Sequence, residues 1–125
     1  MIYLASPYSH PEPAVREERF REACRAAAKL MRLGQAVFSP IAHGHCICTY
    51  GLPTDWRFWE PFDREQLLRC DEVIVLTLDG WRESVGVQAE MRIAAECGKP
   101  VRYVAPEPMH HEKTPAETGV EGALS

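Results

Sequence analysis

Apolar residues recur along the chain with two different spacings. Four short segments are apolar almost throughout, as expected of strands in a sheet that is covered on both faces: MIYLASPY, QAVFSP, DEVIVLTL and KPVRYVA. Between them lie longer segments with apolar residues at helical spacing: PEPAVREERFREACRAAAKLMRLG, EPFDREQLLRC and SVGVQAEMRIAAECG. This alternation of strands and helices predicts a parallel sheet with helices on both faces.

Glycine, proline and composition set the predicted limits of the elements. Gly34 is expected to end the first helix and Pro61 to begin the second, whereas the Gly-, His- and Cys-rich stretch 41–57 is expected to be irregular. Residues 1–105 are then one α/β domain, a Rossmann-like or flavodoxin-like sheet of about four to five strands. Residues 106–125 are rich in Pro, Glu and Gly, which predicts a flexible tail or an arm that packs on a partner subunit.

A carboxylate lies on the apolar face of the last predicted helix. Glu90 falls between Ala94 and Cys97 on a helical projection. The same side carries the other apolar residues of this helix: Val87, Ala89, Met91, Ile93 and Ala95. An isolated carboxylate in such surroundings costs on the order of several kcal/mol or has a raised pKa. The alternative is a glutamate near the helix N-terminus that bonds to backbone amides or pairs with an arginine.

A second carboxylate, Asp63, lies on the apolar side of the preceding helix. That side is formed by Phe62, Leu67, Leu68 and Cys70. The dipole of a helix favours an aspartate in the first turn, which is the alternative explanation. Because the two helices flank the same strand, Glu90 and Asp63 are expected to form a pair.

Two arginines, Arg16 and Arg19, lie on the buried side of the first helix, just after the first strand. The apolar residues of that side are Val15, Ala23, Ala27, Leu30 and Met31. Arginines in such positions can extend to solvent or pair with glutamates. They can also form an anion receptor at the carboxyl edge of the sheet, where ligands of open α/β sheets bind.

Composition narrows the class of protein. A formal net charge of −4 gives no support for a nucleic-acid polymer as partner. No apolar run approaches the roughly 18 residues of a membrane span, and the chain opens directly into a strand rather than a signal peptide. Cys24, Cys70 and Cys97 occupy apolar helix positions, which predicts buried thiols. The expected protein is reduced and cytoplasmic.

Motifs for cofactors and metals are missing from the sequence. The loop RESVG, with Ser84 and Gly86, suits a phosphate, but it matches neither GxGxxG nor GxxxxGK[ST]. His43 and the neighbouring stretch HCIC lack the paired spacing of a zinc site. No cofactor and no metal are therefore expected. His43 and His45 are instead expected to line the mouth of a site or to cap the loop. Trp59, like Trp56, either stacks on a nucleobase or packs in the core or at a subunit interface.

The segments IYLASPY, DREQLLRCDEVIVL and SVGVQAEMRIAAECGKPV resemble the nucleoside 2-deoxyribosyltransferase superfamily, and in particular its deoxynucleoside 5′-monophosphate N-glycosidases. The resemblance implies that Glu90 is the nucleophile, that Asp63 assists at the base and sugar, and that Tyr3 orients the catalytic carboxylate. Ser84 corresponds to a position near the 5′ end of the sugar. It is Ser in the monophosphate hydrolases, whereas the transferases tend to carry Asp there. Ser6, in the turn after the first strand, is a further candidate contact.

Three functions follow as hypotheses from these residues and the resemblance. The first is cleavage of the N-glycosidic bond of a nucleoside 5′-monophosphate through a covalent glycosyl-enzyme. The second is transfer of deoxyribose between free bases, and the third is nucleotide binding without catalysis. The expected partners are a small nucleoside or nucleotide and further copies of the chain, in a homodimer or a larger homo-oligomer.

Overall fold

The computed structural model describes residues 1–108. Within them, strands and helices follow one another in this order: β1 (Ile2–Ala5), α1 (Pro13–Arg32), β2 (Val37–Phe38), α2 (Pro40–Cys48), α3 (Trp56–Leu68), β3 (Glu72–Leu76), α4 (Val85–Glu96) and β4 (Val101–Val104). The predicted tail 106–125 falls outside the described residues apart from its first three positions. No helix of residues 1–108 is long and apolar enough to cross a membrane.

The strands form one parallel sheet in the order β2-β1-β3-β4. Tyr3 of β1 pairs with Phe38 on one side and with Val73 of β3 on the other. The chain therefore builds outward from β1 to one edge, crosses back, and continues from β3 to the opposite edge. This order confirms the predicted Rossmann-like α/β fold, and it places a switch point between β1 and β3.

Helices cover both faces of the sheet, as the uninterrupted apolar strands predict. On one face, Leu4 and Ile74 pack with Ala27 of α1. On the other face, Val73 and Val75 pack with residues of α3 and α4: Leu67, Val87, Ile93 and Ala94. Successive residues of β1 and β3 thus alternate between two separate cores, because side chains of a strand point to opposite faces in turn.

The segment predicted to be irregular contains helix α2, and that prediction was wrong. Gly44 and β-branched or polar residues lower the helix propensity of this stretch. A start signal was nevertheless present, since the Ser39 hydroxyl accepts a hydrogen bond from the Ala42 amide and Pro40 takes the first helical position. Gly44 admits a neighbouring helix, because a Cβ there would lie 3.3 Å from the ring of Trp59.

Helix α3 begins five residues earlier than Pro61, so Pro61 lies inside the helix rather than at its start. The cap is Asp55, directly before Trp56. Gly34 ends α1 as predicted, with φ of 88°, a conformation that glycine adopts without strain. Of the three cysteines predicted to be buried, Cys70 is buried and Cys24 is half-buried, whereas the prediction was wrong for Cys97, which is exposed at the C-terminal cap of α4.

Besides Cys97, four residues assigned to apolar helix faces are exposed, and these assignments were wrong: Met31 at 53%, Phe62 at 54%, Leu68 at 47%, and Ala95. A helical projection gives the direction of a side chain but not the extent of the surface that covers it. Met31 is in the last turn of α1. Phe62 and Leu68 flank the narrow stripe of Asp63, Leu67 and Cys70 that faces the sheet.

The neighbours Leu67 and Leu68 offer a matched test of this packing. Leu67 is fully buried against the sheet, whereas Leu68 is half exposed. We expect Leu67→Ala to lower the free energy of unfolding by about 2–3 kcal/mol, because it leaves a cavity in the core, and Leu68→Ala to change it by less than about 1 kcal/mol. Urea unfolding of the two variants measures the difference. Equal losses would contradict the observed orientation of α3.

Candidate active site

A cavity of about 590 Å³ opens at the carboxyl edge of the sheet. Residues that follow β1, β2 and β3 line it, together with side chains from α1, α3 and α4. It therefore lies at the switch point, which is the usual ligand site of open α/β sheets. Its volume is in the range of small-molecule sites, about 300–1,000 Å³.

Two carboxyl groups meet in this cavity. Glu90 of α4 is only 4% exposed and lines the cavity, as does Asp63 of α3. The hydroxyl of Tyr3, fully buried in β1, donates a hydrogen bond to Glu90 Oε2. Glu90 also lies close enough to Asp63 for their charges to interact. The predicted inward positions of both carboxyl groups, and their proximity to Tyr3, are thus found in the structure.

Burial raises the pKa values of the three side chains Glu90, Asp63 and Tyr3. Loss of solvent raises the pKa of Glu90 to about 8; the hydrogen bond from Tyr3 opposes the rise and the charge of Asp63 adds to it. Burial alone raises the pKa of Asp63 to about 7. Burial and the neighbouring Glu90 raise the pKa of Tyr3 well above its ordinary value, so that its hydroxyl keeps its proton and acts as donor. Two carboxyl groups that titrate near neutral pH are suited to acid–base work.

The hydrogen bond from Tyr3 leads to a measurable effect on Glu90. We expect Tyr3→Phe to raise the pKa of Glu90 further, by about one unit, because a hydrogen bond that stabilises the carboxylate is lost. Carbon-13 NMR titration of the Glu90 carboxyl group measures the change. Tyr103→Phe, at an exposed position, is the matched control. An unaltered titration in Tyr3→Phe would contradict the role of this bond.

The N-terminus of α4 forms another part of the wall. Ser84 is the N-cap, and its Oγ accepts from the Val87 amide at 3.2 Å. Val85 and Gly86, the first two helical residues, line the cavity beside it. The first amides of a helix have no acceptor within the helix, and they favour an anion. At Gly86 a Cβ would lie 3.4 Å from the ring of Trp56, so the glycine admits this tryptophan.

Arg19 supplies a positive charge to the cavity. Its guanidinium donates to the Ser9 carbonyl at 2.9 Å and the Asp79 carbonyl at 3.1 Å. No carboxylate of residues 1–108 lies within ion-pair distance of it. Burial lowers its pKa, and the Asp79 charge opposes that effect. Gly80 has φ of 90°, a conformation that favours glycine, and a Cβ there would lie 2.7 Å from Arg19 Nη2, so a larger residue would displace this guanidinium.

The other predicted cation, Arg16, does not line the cavity. Its guanidinium donates to the His10 carbonyl, and it lies near the hydroxyl of Tyr8. Arg16 therefore supports the loop after β1, while Arg19 alone of the predicted pair faces the ligand space.

Ser6 is a candidate ligand contact on different grounds. Its side chain is buried and lines the cavity, yet its Oγ has no hydrogen-bond partner among the described residues. A buried hydroxyl without a partner costs about 1–3 kcal/mol. A polar atom of a bound molecule would remove that cost.

Tryptophans form the apolar part of the wall. Trp59 and Trp56, both on α3, line the cavity. The Trp59 indole N–H donates to the Pro53 carbonyl at 2.8 Å, and its ring lies against Gly44 of α2. The predicted position of Trp59 at the site is therefore found, with Trp56 beside it.

The histidine prediction was wrong for His43. His43 is exposed, does not line the cavity, and has its ring 5.7 Å from that of Phe38. His45, the other histidine expected at the site mouth, does line the cavity, and so does Tyr8. Once α2 is a helix, its cavity side is set by helical spacing: Ile41, Gly44, His45 and Cys48. The Ser39–Pro40 start signal could have identified that side.

Within residues 1–108, no group of three or more His, Cys, Asp or Glu side chains is arranged to hold a metal ion. The fold and site define an α/β protein with one buried and one half-buried carboxyl group at the carboxyl edge of a parallel sheet. The family described as Domain of unknown function (DUF1937) matches residues 1–105, and the chain belongs to that family. No curated protein matches the sequence.

Proposed function

We propose that the protein hydrolyses the N-glycosidic bond of a deoxynucleoside 5′-monophosphate and releases the free base and the sugar phosphate. The observation that carries this proposal is the pair of buried Glu90 and half-buried Asp63, which line the same ligand-sized cavity and lie close enough for their charges to interact. Cleavage of such a bond passes through an oxocarbenium-like state, which one carboxylate stabilises or traps while a second carboxyl group serves the leaving group. The resemblance to the deoxyribosyltransferase superfamily assigns the same two residues.

The reaction proceeds in two displacements on this geometry. Ionised Glu90 attacks the anomeric carbon, the carbon–nitrogen bond breaks, and its electron pair leaves with the base, which takes a proton from Asp63. Asp63, now a carboxylate, removes a proton from water, and the resulting hydroxide displaces Glu90 from the sugar. The configuration at the anomeric carbon is retained. Tyr3 holds the Glu90 carboxylate in position throughout.

The groups around the rest of the cavity support a phosphorylated substrate. Arg19 has backbone carbonyls as its partners, and Ser84 with the first amides of α4 forms an anion-binding helix end. A 5′-phosphate would take its hydrogen bonds from these groups. Trp56 and Trp59 offer aromatic faces on which a base would stack.

Release of free base from each of the four deoxynucleoside monophosphates tests the proposal, with the unphosphorylated nucleosides alongside. Hydrolysis of a monophosphate but not of its nucleoside is the expected result. Movement of labelled base into nucleoside without net hydrolysis would select base exchange instead. Tight binding without any product would select the non-catalytic alternative, and no effect of Glu90→Ala on base release would contradict the assignment of the nucleophile.

The raised pKa values predict the pH dependence. Attack requires ionised Glu90, so kcat/KM rises as pH increases through its pKa of about 8. Protonation of the base requires neutral Asp63, so the rate falls as pH increases through its pKa of about 7. The rate is proportional to the fraction of Glu90 that is ionised multiplied by the fraction of Asp63 that is protonated. This product gives a narrow bell-shaped profile centred between pH 7 and 8. A rate profile from pH 5 to pH 10 measures it; Asp63→Asn should remove the alkaline limb, and an optimum near pH 5 would contradict the assignment.

A further inference from the structure

A chain of three hydrogen-bonded side chains runs from α1 to the cavity, apart from the carboxyl pair. His45 Nε2 lies 2.9 Å from Glu17 Oε1, and His45 Nδ1 lies 2.8 Å from the Tyr8 hydroxyl. The ring of Phe20 stacks on the imidazole with centroids 4.2 Å apart. Tyr8 and His45 both line the cavity, while Glu17 does not. The mechanism above uses none of these groups.

The chemistry of the partners sets the direction of each hydrogen bond. A carboxylate accepts but does not donate, so His45 Nε2 carries the proton given to Glu17. In the neutral ring Nδ1 is then an acceptor, and it takes the proton of the Tyr8 hydroxyl. The guanidinium of Arg16 lies close enough to donate to one lone pair of the Tyr8 oxygen. The capacity that remains is the other lone pair, so Tyr8 offers the ligand an acceptor rather than a donor.

The charged surroundings are consistent with this polarity. Arg21 of α1 lies 3.4 Å from Glu17 and shares its charge. Around the Tyr8 oxygen lie Arg16 of α1 and Cys48 of α2. Burial raises the pKa of Tyr8 above its ordinary value, and the phenol therefore keeps its proton. A neutral phenol whose proton is engaged by His45 is a poor partner for phosphate, which is an acceptor itself.

We propose that Tyr8 is a substrate-contacting residue that accepts a hydrogen bond from an uncharged N–H or O–H of the ligand, and that His45 and Glu17 are positioning residues that fix this polarity. The identity of the ligand rests on the proposed function. In a deoxynucleoside monophosphate the donor has two sources, an exocyclic amino group of the base and the 3′-hydroxyl of the sugar. The phosphate is assigned to Arg19 and Ser84.

Nitrogen-15 NMR of the histidine rings tests the polarity without any catalytic readout. In the neutral ring we expect His45 to show a protonated Nε2 and an unprotonated Nδ1, with the signals assigned by their loss in His45→Gln. Tyr8→Phe should shift the Nδ1 signal of His45 and leave that of His43 unchanged, since His43 lies on the same helix but outside the cavity. The opposite tautomer, or an Nδ1 signal insensitive to Tyr8→Phe, would overturn the proposal.

Kinetics with paired substrates then identify the donor. We expect Tyr8→Phe to lower kcat/KM about tenfold, the factor for one uncharged hydrogen bond, mainly by raising KM. If the base supplies the donor, the loss occurs with deoxyadenosine or deoxycytidine monophosphate and is absent with the deoxyinosine or deoxyuridine analogue. If the sugar supplies it, the loss is absent only with the 2′,3′-dideoxy compound. Tyr50→Phe, at an exposed position, is the control.

An equal loss with every compound, or no loss with any, would overturn the contact. Should the wild-type protein release base from none of them, the proposed function fails by itself. The contact is then decided by the dissociation constants of the same compounds for wild type and Tyr8→Phe, measured by calorimetry. The same pattern of selective weakening, about tenfold, supports it, and uniform affinities overturn it.

Discussion

Replacement of Glu90 by glutamine is expected to reduce base release at least about 1,000-fold and to leave the protein folded. An amide of the same shape neither attacks the anomeric carbon nor carries the charge that stabilises an oxocarbenium-like state. The Tyr3 hydroxyl can still donate to the amide oxygen of the new side chain, so the local packing is kept. The effect should fall on kcat, because the phosphate and base contacts of the substrate are made by other residues.

Two further variants sharpen this prediction. Glu96→Gln, on the exposed face of the same helix, changes the same charge and should leave the rate unaltered. Glu90→Asp keeps the carboxylate but withdraws it by one methylene, and should cost about 100-fold through misplacement. Intact-protein mass spectrometry of quenched wild type should show the sugar phosphate attached, and Glu90→Gln should lack it. More than a tenth of wild-type activity in Glu90→Gln would contradict a nucleophilic role.

The sheet was predictable because its strands carry their signal locally. β1 and β3 are buried on both faces, and each is a continuous apolar run, which is sufficient to locate it. Gly34 marked the end of α1 for an equally local reason. Helix α2 was missed because its stability comes from packing, with Gly44 against Trp59, rather than from its own propensity. The prediction therefore failed where tertiary contacts outweigh local preference.

The candidate site was predictable in part for a related reason. Glu90 and Asp63 could be identified because each is a carboxylate on an otherwise apolar helix face. Glu90 and Asp63 lie together beside Tyr3 because of the way in which α3 and α4 pack on the sheet. The local sequence pattern does not contain that information. Tyr8 was missed because it lies in a loop without any period, and the orientation of His45 rather than His43 toward the cavity follows from α2. The position of a side chain in a loop follows from the tertiary structure and not from a periodic sequence pattern.

The pH dependence of stability gives a second large effect at Glu90, one that needs no substrate. Its folded-state pKa of about 8 lies above the ordinary 4.5, so between these values the folded protein holds a proton that the unfolded chain has released. The free energy of unfolding of the wild type therefore falls as pH rises through this window, and the loss is complete above pH 8. Across the full shift the loss amounts to roughly 5 kcal/mol.

Glutamine at position 90 cannot ionise, so Glu90→Gln should remove this contribution. The difference in unfolding free energy, variant minus wild type, should be small at pH 5 and reach roughly 5 kcal/mol in favour of the variant at pH 9. Asp63 contributes a decline of the same sign, but it is present in both proteins and largely cancels. Urea unfolding at the two pH values measures the difference, with exposed Glu96→Gln as the control that should show no such trend. If the Glu90→Gln variant loses activity while it gains stability at alkaline pH, the ionisable Glu90 is kept at a cost to folding stability. Parallel pH profiles for wild type and Glu90→Gln would instead mean that this carboxyl group ionises freely in the folded state.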